Sequence, residues 1–430
     1  MSIGSNPATR HVTVAPGPLA ATVRVPGSKS VSNRVLVCAA LADGTSYVSN
    51  LAPGDDTVAM LECVADLGAG VRPGPDPGSA AIEGTGGVLR PGPARLLTRL
   101  AGTTSRFVTA LAALGGGPYT VDGEPPLRAR PMTPLHDALV ALGADVVPGE
   151  SWGHLPVTIS GPIVTPAAMV AIRGDVSSQY ISALMMIAPY LPDGLRIELT
   201  TPLVSRSYVG ITSAVMSTFG VDGVEVAESH IVVPAGRYVA AVVDVEPDAS
   251  SASYPLSAAA IAGGSVSVPG LTAESLQGDA RFADVLASMG CDVYADAHGT
   301  TVLRDGPLRG IDIDMVDMSD LVPTLAVVAP FAHTRTTIRG VGFIRRKESD
   351  RLGDLCAGLR RAGVDARETD DGLVIEPGPP HGAVLATHHD HRLAMAFALL
   401  GLYVAGIEIE DPGVVSKSWP GYWSMLEELV

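Results

Sequence analysis

Lysine is scarce in this chain. Lys29, Lys347 and Lys417 stand against 26 arginines, which together make the 29 basic residues. A composition that trades exposed lysine for arginine keeps lysine where a compact ammonium with a movable pKa is needed and a planar fork would not serve. Lys29 lies in Gly27-Ser28-Lys29-Ser30-Val31-Ser32-Asn33-Arg34, Lys347 in Arg345-Arg346-Lys347-Glu348-Ser349-Asp350-Arg351, and Lys417 beside Ser418. Other polar runs share their character: Ala101-Gly102-Thr103-Thr104, Asp175-Val176-Ser177-Ser178-Gln179-Tyr180, Ser319-Asp320 and His389-Asp390-His391-Arg392. At a helix N-terminus such runs suit anion binding, because unpaired N–H groups and a partial positive charge meet phosphate or carboxylate there. Gly102 has no side chain to block a ligand from the backbone, and Arg128 and Arg130 precede the following helix.

Taken singly, each run reads equally well as a plain N-cap or a solvated face of i,i+4 charge pairs. The first run is not a Walker A loop, since Ser28 separates Gly27 from Lys29. The histidines lack both HExxH spacing and an accompanying cysteine, so no metal or cofactor is expected. Jointly, the three lysines occupy what read as equivalent helix-opening positions. That pattern predicts a single anion-binding cleft joining two small phosphorylated acids.

The elements that position these residues recur. A polar cluster opens an apolar helix; a turn, a β-branched strand and a charged loop follow; a second helix closes on glycine. The closing glycines are Gly68, Gly143, Gly220, Gly290 and Gly363, with the chain ending at Val430, which gives spacings of 75, 77, 70, 73 and 67. First helices open at Ser30, Thr103, Ser177, Ser250, Ser319 and Asp390, each with a residue suited to capping. Glycine after the second helices fits a left-handed C-cap. Strands are expected at Ser46–Ser49, Ser265–Val268 and Thr336–Arg339, and surface loops at Pro73–Gly78 and Glu376–Pro380. Six α/β units fill the chain. Three units, about 215 residues, make a plausible domain. The expected division is 1–26 plus 247–430 as one domain and 27–246 as the other, with crossings at Pro26-Gly27 and Glu246-Pro247.

A formal net charge of −16 argues against nucleic acid, which needs a basic face, yet a few cations can still converge on small anions. The polar stretch Met1 to Gly17 has no apolar core of signal-peptide length, and the longest apolar run, Leu393 to Ile407, is too short to cross a membrane. The four cysteines Cys38, Cys63, Cys291 and Cys356 are scattered and read as reduced, mostly core residues of a cytoplasmic protein.

The ordered set Pro26-Gly-Ser-Lys-Ser-Val-Ser-Asn-Arg34, Ala101-Gly-Thr103, Arg130-Pro131, Ser177-Ser-Gln179, Ser205 with Tyr208, Asp248-Ala-Ser-Ser-Ala-Ser-Tyr254, Asp320, Lys347-Glu-Ser-Asp-Arg-Leu352, Asp390-His-Arg392 and Lys417 resembles the enolpyruvyl transferases over essentially the whole chain. The resemblance implies a two-domain inside-out α/β barrel of six βαβαββ repeats, three per domain, closing on substrate. It implies that the 5-hydroxyl of shikimate 3-phosphate adds to C2 of phosphoenolpyruvate, with loss of phosphate from a tetrahedral intermediate, in aromatic amino-acid biosynthesis. No metal is required, since the bond broken is C–O. It also implies residue roles. Ser30 and Arg34 would hold the shikimate carboxylate, with Ser177, Ser178, Ser205 and Lys347 around its phosphate and Tyr208 nearby. Lys29, Arg130, Arg351, Arg392, Lys417 and the Gly102 backbone would hold phosphoenolpyruvate, helped by Gln179. Lys29 would touch both substrates, and Asp320 the shikimate 3-phosphate. Asp320 and Glu348 would move protons, assisted by Lys29. The partners are then two small molecules and a monomer is expected. Gly102 suggests sensitivity to glyphosate, a phosphoenolpyruvate mimic, because a methyl there would crowd the site.

Three positions depart from the family pattern. Leu100 stands where many members carry Asn, and Phe107 replaces a common Pro. Phe343, four residues before Lys347, replaces an Asn or His that touches the acceptor phosphate region. Phe343 motivates an alternative acceptor, a related cyclic compound of specialised metabolism. The UDP-N-acetylglucosamine branch of the family is disfavoured because Glu124 to Arg130 contains no cysteine. A ligand-binding paralogue without activity is disfavoured by the intact Lys29, Asp320, Glu348 and Lys417.

Overall fold

The computed structural model describes residues 9–164 and 169–430. Residues 1–8, part of the polar N-terminal stretch, lie outside the described residues. The chain separates into two compact units, Met1–Pro26 with Pro247–Val430, and Gly27–Glu246.

A full repeat runs strand, helix, strand, helix, strand, strand, and the last, from Val384, has two strands and two α-helices without the closing hairpin. The repeat Ala94–Leu97, Gly102–Ala112, Tyr119–Asp122, Thr133–Ala141, Asp145–Pro148, Val157–Ser160 is representative. Its first two strands pair in parallel, and the hairpin of the last two joins the second strand antiparallel. Among the described residues five sheets have four strands and a sixth has three. Two repeats borrow their opening strand from a distant segment. Val242–Asp244 pairs parallel with Thr45–Ser49, and Leu19–Thr22 pairs parallel with Gly264–Pro269. The three-stranded sheet is completed by Thr9–His11, antiparallel to Glu408–Glu410.

The expected strands are present, each within a residue of its predicted ends. The closing glycines Gly68, Gly143, Gly220, Gly290 and Gly363 all take positive φ, from +85° to +115°. An L side chain is strained in that region, so glycine ends these helices at little steric cost.

Within each unit the first helices of the three repeats pack against one another. In Gly27–Glu246 these are Lys29–Leu41, Gly102–Ala112 and Ser178–Ile187. In the other unit they are Ala249–Ala262, Val322–Val328 and His391–Gly401. Nearly every residue of the six is buried. That fits sequences without a solvent-facing polar stripe, as expected of helices surrounded by protein. Each unit has its own hydrophobic core around its three helices. Polar clusters sit where these central helices begin.

Candidate active site

In the unit containing residues 247–430, the N-terminal turns of the central helices meet. Ser253 and Thr324 hydroxyls lie 3.2 Å apart, and Arg392, in the first turn of His391–Gly401, donates to Asp320 at 2.7 Å. Asp320 accepts from three cations. Arg392 Nη2 reaches Oδ2, while Arg351 Nη1 (3.0 Å) and Lys347 Nζ reach Oδ1. Glu348 accepts from Arg351 Nη2 at 2.6 Å and from Lys417 Nζ at 3.1 Å. Arg351 is fully buried and central to the network. Its Nε donates to Asp390 at 2.8 Å, while its other nitrogens serve Asp320 and Glu348. Asp390 also caps its own helix by accepting from the Arg392 backbone N–H at 2.9 Å.

The electrostatics follow. Burial alone would push the Asp320 carboxyl up, but Arg392, Lys347 and Arg351 together outweigh it and hold the group well below the usual carboxylate range. Burial lowers Lys347, and Arg351 and Arg392 add to the effect against the pull of Asp320. Four cations, Lys347, Arg351, Arg392 and Lys417, share three carboxylates, Asp320, Glu348 and Asp390. The cluster therefore carries a surplus of positive charge suited to an anion.

In Gly27–Glu246, Lys29 opens its helix and pairs at 3.1 Å with the buried Asp56. Gly102 opens a helix whose N-cap, Ala101, has no side chain able to cap. A Cβ built on Gly102 would lie 2.6 Å from Arg130 Nη1 and 2.9 Å from Arg106 Nη1. Two guanidinium groups thus flank an open helix N-terminus, which is an anion-binding arrangement. Gln179 Nε2 donates to Thr103 Oγ1 at 3.1 Å, joining this helix to the one capped by Ser177. Ser178 is buried in the first turn of that helix. Ser205 holds φ +54°, left-handed for a non-glycine residue, at the start of Arg206–Thr218. Such strain concentrates where a side chain must be aimed. Arg34 is buried and donates to Thr212 (2.7 Å), Ser182 (3.1 Å) and the carbonyls of Ser30 (2.7 Å) and Tyr208 (3.3 Å). Its guanidinium therefore supports the Ser30 and Tyr208 backbones.

A profile of the family described as EPSP synthase (3-phosphoshikimate 1-carboxyvinyltransferase) matches residues 14–426. The chain belongs to that family. A 3-phosphoshikimate 1-carboxyvinyltransferase of Trichormus variabilis is 42% identical over 414 residues, 96% of this chain and 97% of the relative. One from Nostoc sp. is 43% identical over the same shares. The solved structure of EPSP synthase from Acinetobacter baumannii superposes with a TM-score of 0.83 at 25% identity, covering 98% of both chains. The fold is accordingly the α/β fold of the EPSP synthases.

The residues singled out in the sequence fall into two groups. Asp320, Lys347, Glu348, Arg351, Arg392 and Lys417 form one bonded network. Lys29, Ser30, Arg34, Gly102, Arg130, Ser177, Ser178, Gln179, Ser205 and Tyr208 belong to the other unit, on or beside helix starts. One expectation is corrected. The three lysines are not at equivalent positions. Lys29 starts a first helix, whereas Lys347 and Lys417 end short 3-10 turns, Gly342–Arg346 and Pro412–Lys417, that lead into second helices. The polar clusters look alike locally, and only the turn geometry separates them. The sequence did not reveal Asp56 and the buried Asp390 as partners of the cations, nor Arg106 as a second guanidinium beside Gly102. Arg128, noted beside Arg130, is held by Asp122 at 2.8 and 2.9 Å.

Phe343 is packed against the core with its ring 5.6 Å from Lys347 Nζ, a cation–π contact. Phe107 is buried under Arg34, 5.2 Å from ring to guanidinium carbon. Leu100 is partly exposed. All four cysteines are buried and unpaired by disulfides, and burial pushes Cys38 and Cys63 up to about 12, which keeps them as inert thiols. Among the described residues no helix is long and apolar enough to cross a membrane, and no group of three or more His, Cys, Asp or Glu side chains is arranged to hold a metal ion.

Proposed function

We propose that this chain transfers the enolpyruvyl group of phosphoenolpyruvate to the 5-hydroxyl of shikimate 3-phosphate. The observation that carries the reading is the Asp320–Arg351–Glu348 network, which puts two potential proton carriers among four cations. In the addition step the 5-hydroxyl oxygen bonds C2 and loses its proton to Asp320. The C2–C3 π pair takes a proton at C3 from Glu348. In the elimination step C3 returns a proton, the double bond reforms and the C2–O bond to phosphate breaks. Atoms balance without an external oxidant or reductant.

Two polyanions repel each other, and cations that bind both allow them to approach within reacting distance. Lys347, with Ser177, Ser178, Ser205 and Tyr208, binds the acceptor phosphate, and Ser30 and Arg34 bind its carboxylate. Arg130, Arg351, Arg392, Lys417, Gln179, the Gly102 N–H and Lys29 bind phosphoenolpyruvate. The same cations hold Asp320 as a weak base before substrate arrives. An incoming phosphate or carboxylate draws on Lys347 and Arg392, weakens their hold on Asp320 and raises its basicity. The reading takes the enzyme as a cytoplasmic monomer, which sedimentation of the purified chain checks.

The test is steady-state phosphate release with both substrates. Turnover in the ordinary enzyme range, on the order of 1 to 10³ per second, supports the reading. Absence of turnover with a folded protein overturns it. A second reading rests on Phe343, whose ring occupies the side of Lys347 where a polar group would extend the acceptor site. If a related cyclic acceptor is the true substrate, shikimate 3-phosphate turns over poorly and Phe343→Asn restores it.

A further inference from the structure

The geometry points to Asp279 as a positioning residue for Arg392, acting through the Ser250 hydroxyl. Asp279 lies in the turn Gly278–Arg281, outside every run that carries the family resemblance. Gln277 anchors this turn to the central helix Ala249–Ala262: its Oε1 accepts from Ala249 N–H at 3.0 Å and its Nε2 donates to the Pro247 carbonyl at 2.7 Å. Asp279 Oδ2 accepts a hydrogen bond from the Ser250 hydroxyl. The Ser250 oxygen in turn accepts from Arg392 Nη2 at 3.5 Å, the same nitrogen that donates to Asp320 at 2.7 Å.

Two features separate this arrangement from ordinary packing. Asp279 is only 5% exposed, and its second oxygen, Oδ1, is buried with no hydrogen-bond partner. A buried carboxylate oxygen left unpaired is costly, and a side chain kept at that cost generally has work elsewhere. The Ser250 link is also a contact on Arg392 that does not compete with the reaction. An anion binding to Arg392 draws it from Asp320, and Ser250, held by Asp279, then keeps the guanidinium from following the substrate out of register.

The charged surroundings of Asp279 are defined. Asp320 faces it from Val316–Leu321, Arg392 from His391–Gly401 and Asp248 from the cap of Ala249–Ala262. The half-buried Asp317 shares the Asp320 turn, and Arg281 and Asp284 are exposed. Burial, reinforced by Asp320 and Asp248, raises the Asp279 carboxyl to about 6 against the pull of Ser250 and Arg392. The group is thus ionised, and Ser250 aligned toward it, above about pH 6; below that the alignment weakens.

The inference rests on the assignment of Arg392 to phosphoenolpyruvate, so Arg392→Lys is the control. The experiment measures KM for both substrates, kcat and Tm for Asp279→Asn, Ser250→Ala and the double variant. Asp279→Asn and Ser250→Ala should each raise KM for phosphoenolpyruvate roughly fivefold, about one hydrogen bond's worth. KM for shikimate 3-phosphate should change little, and the double variant should be no worse than the singles, because one path is cut twice. Asp279→Asn removes a buried charge whose raised pKa costs stability above about pH 6, so its Tm at pH 8 should hold or rise. The phosphate of phosphoenolpyruvate titrates near the same pH, so the wild type should show an acid-side loss of kcat/KM steeper than that of Asp279→Asn, which retains only the substrate's share. Unchanged KM for phosphoenolpyruvate, additive effects, superimposable pH profiles, or equal rises in both KM values with a fallen Tm would each overturn the inference. If Arg392→Lys itself leaves that KM unchanged, the assignment of Arg392 fails instead.

Discussion

Arg351 spends its donors on three carboxylates, Asp320, Glu348 and Asp390, and so fixes where the two proposed proton carriers stand. The neutral amide in Glu348→Gln can still accept from Arg351, which keeps two anionic partners. The variant should therefore fold with a Tm near wild type and bind both substrates. Without a proton to give, its kcat should fall by roughly 10² to 10⁴, the usual weight of a general acid; a kcat within threefold of wild type would remove Glu348 from the mechanism. Asp320 tests the same network by pH. Its depressed pKa means that the ionised form contributes stability, complete above the unfolded carboxylate range near pH 4 and lost as pH falls through the lower folded value. Thermal melts should show Asp320→Asn well below wild type at pH 7 and the gap closing toward pH 3. These cations were legible in the sequence because lysine is scarce and the runs are polar. Their counter-charges were not: Lys29 pairs 27 positions away and Arg392 72 positions away, and only folding brings such partners together.

At the scale of the element, the helix Gly102–Ala112 is the instructive case. The helices at Lys29, Ser178, Ala249 and His391 carry side-chain caps from Ser28, Ser177, Asp248 and Asp390, but Ala101 offers none. Gly102 does not hold the positive φ that would bar a side chain, so Gly102→Ala is a backbone-compatible change to a better helix former. Its methyl would push on the Arg130 and Arg106 side chains, within 2.6 and 2.9 Å. Tm should hold or rise slightly, while KM for phosphoenolpyruvate rises roughly tenfold, as loss of a charge-assisted contact implies, and glyphosate inhibits at correspondingly higher concentration. An unaltered KM for phosphoenolpyruvate would separate this helix start from the substrate. The closing glycines were readable because a C-cap has a local signature. The lysine positions were misjudged for the opposite reason, since a 3-10 turn and a helix start use the same small polar residues.

The whole molecule makes a prediction about folding. All three sheets of Gly27–Glu246 draw their strands from within that segment, including Val242–Asp244, which completes the first of them. Its core likewise draws on residues of that segment alone. The fragment 27–246 should fold by itself, with a cooperative melt and native-like circular dichroism. The segment 247–430 is not equivalent. Leu19–Thr22 is the parallel partner of Gly264–Pro269, and Thr9–His11 is the antiparallel partner of Glu408–Glu410. Without them, two sheets present unpaired edges, and Val12, Leu19, Val23 and Val25 are missing from the core. Open edges beside apolar gaps invite aggregation. Expressed alone, 247–430 should be insoluble or melt without cooperativity, and fusing 1–26 ahead of it through a flexible linker should restore a folded protein. A cooperative melt of 247–430 alone would show that the N-terminal strands are additions to a finished unit. Failure of 27–246 to fold would show that its three repeats need the remainder of the chain, although every strand pairing among its described residues is internal.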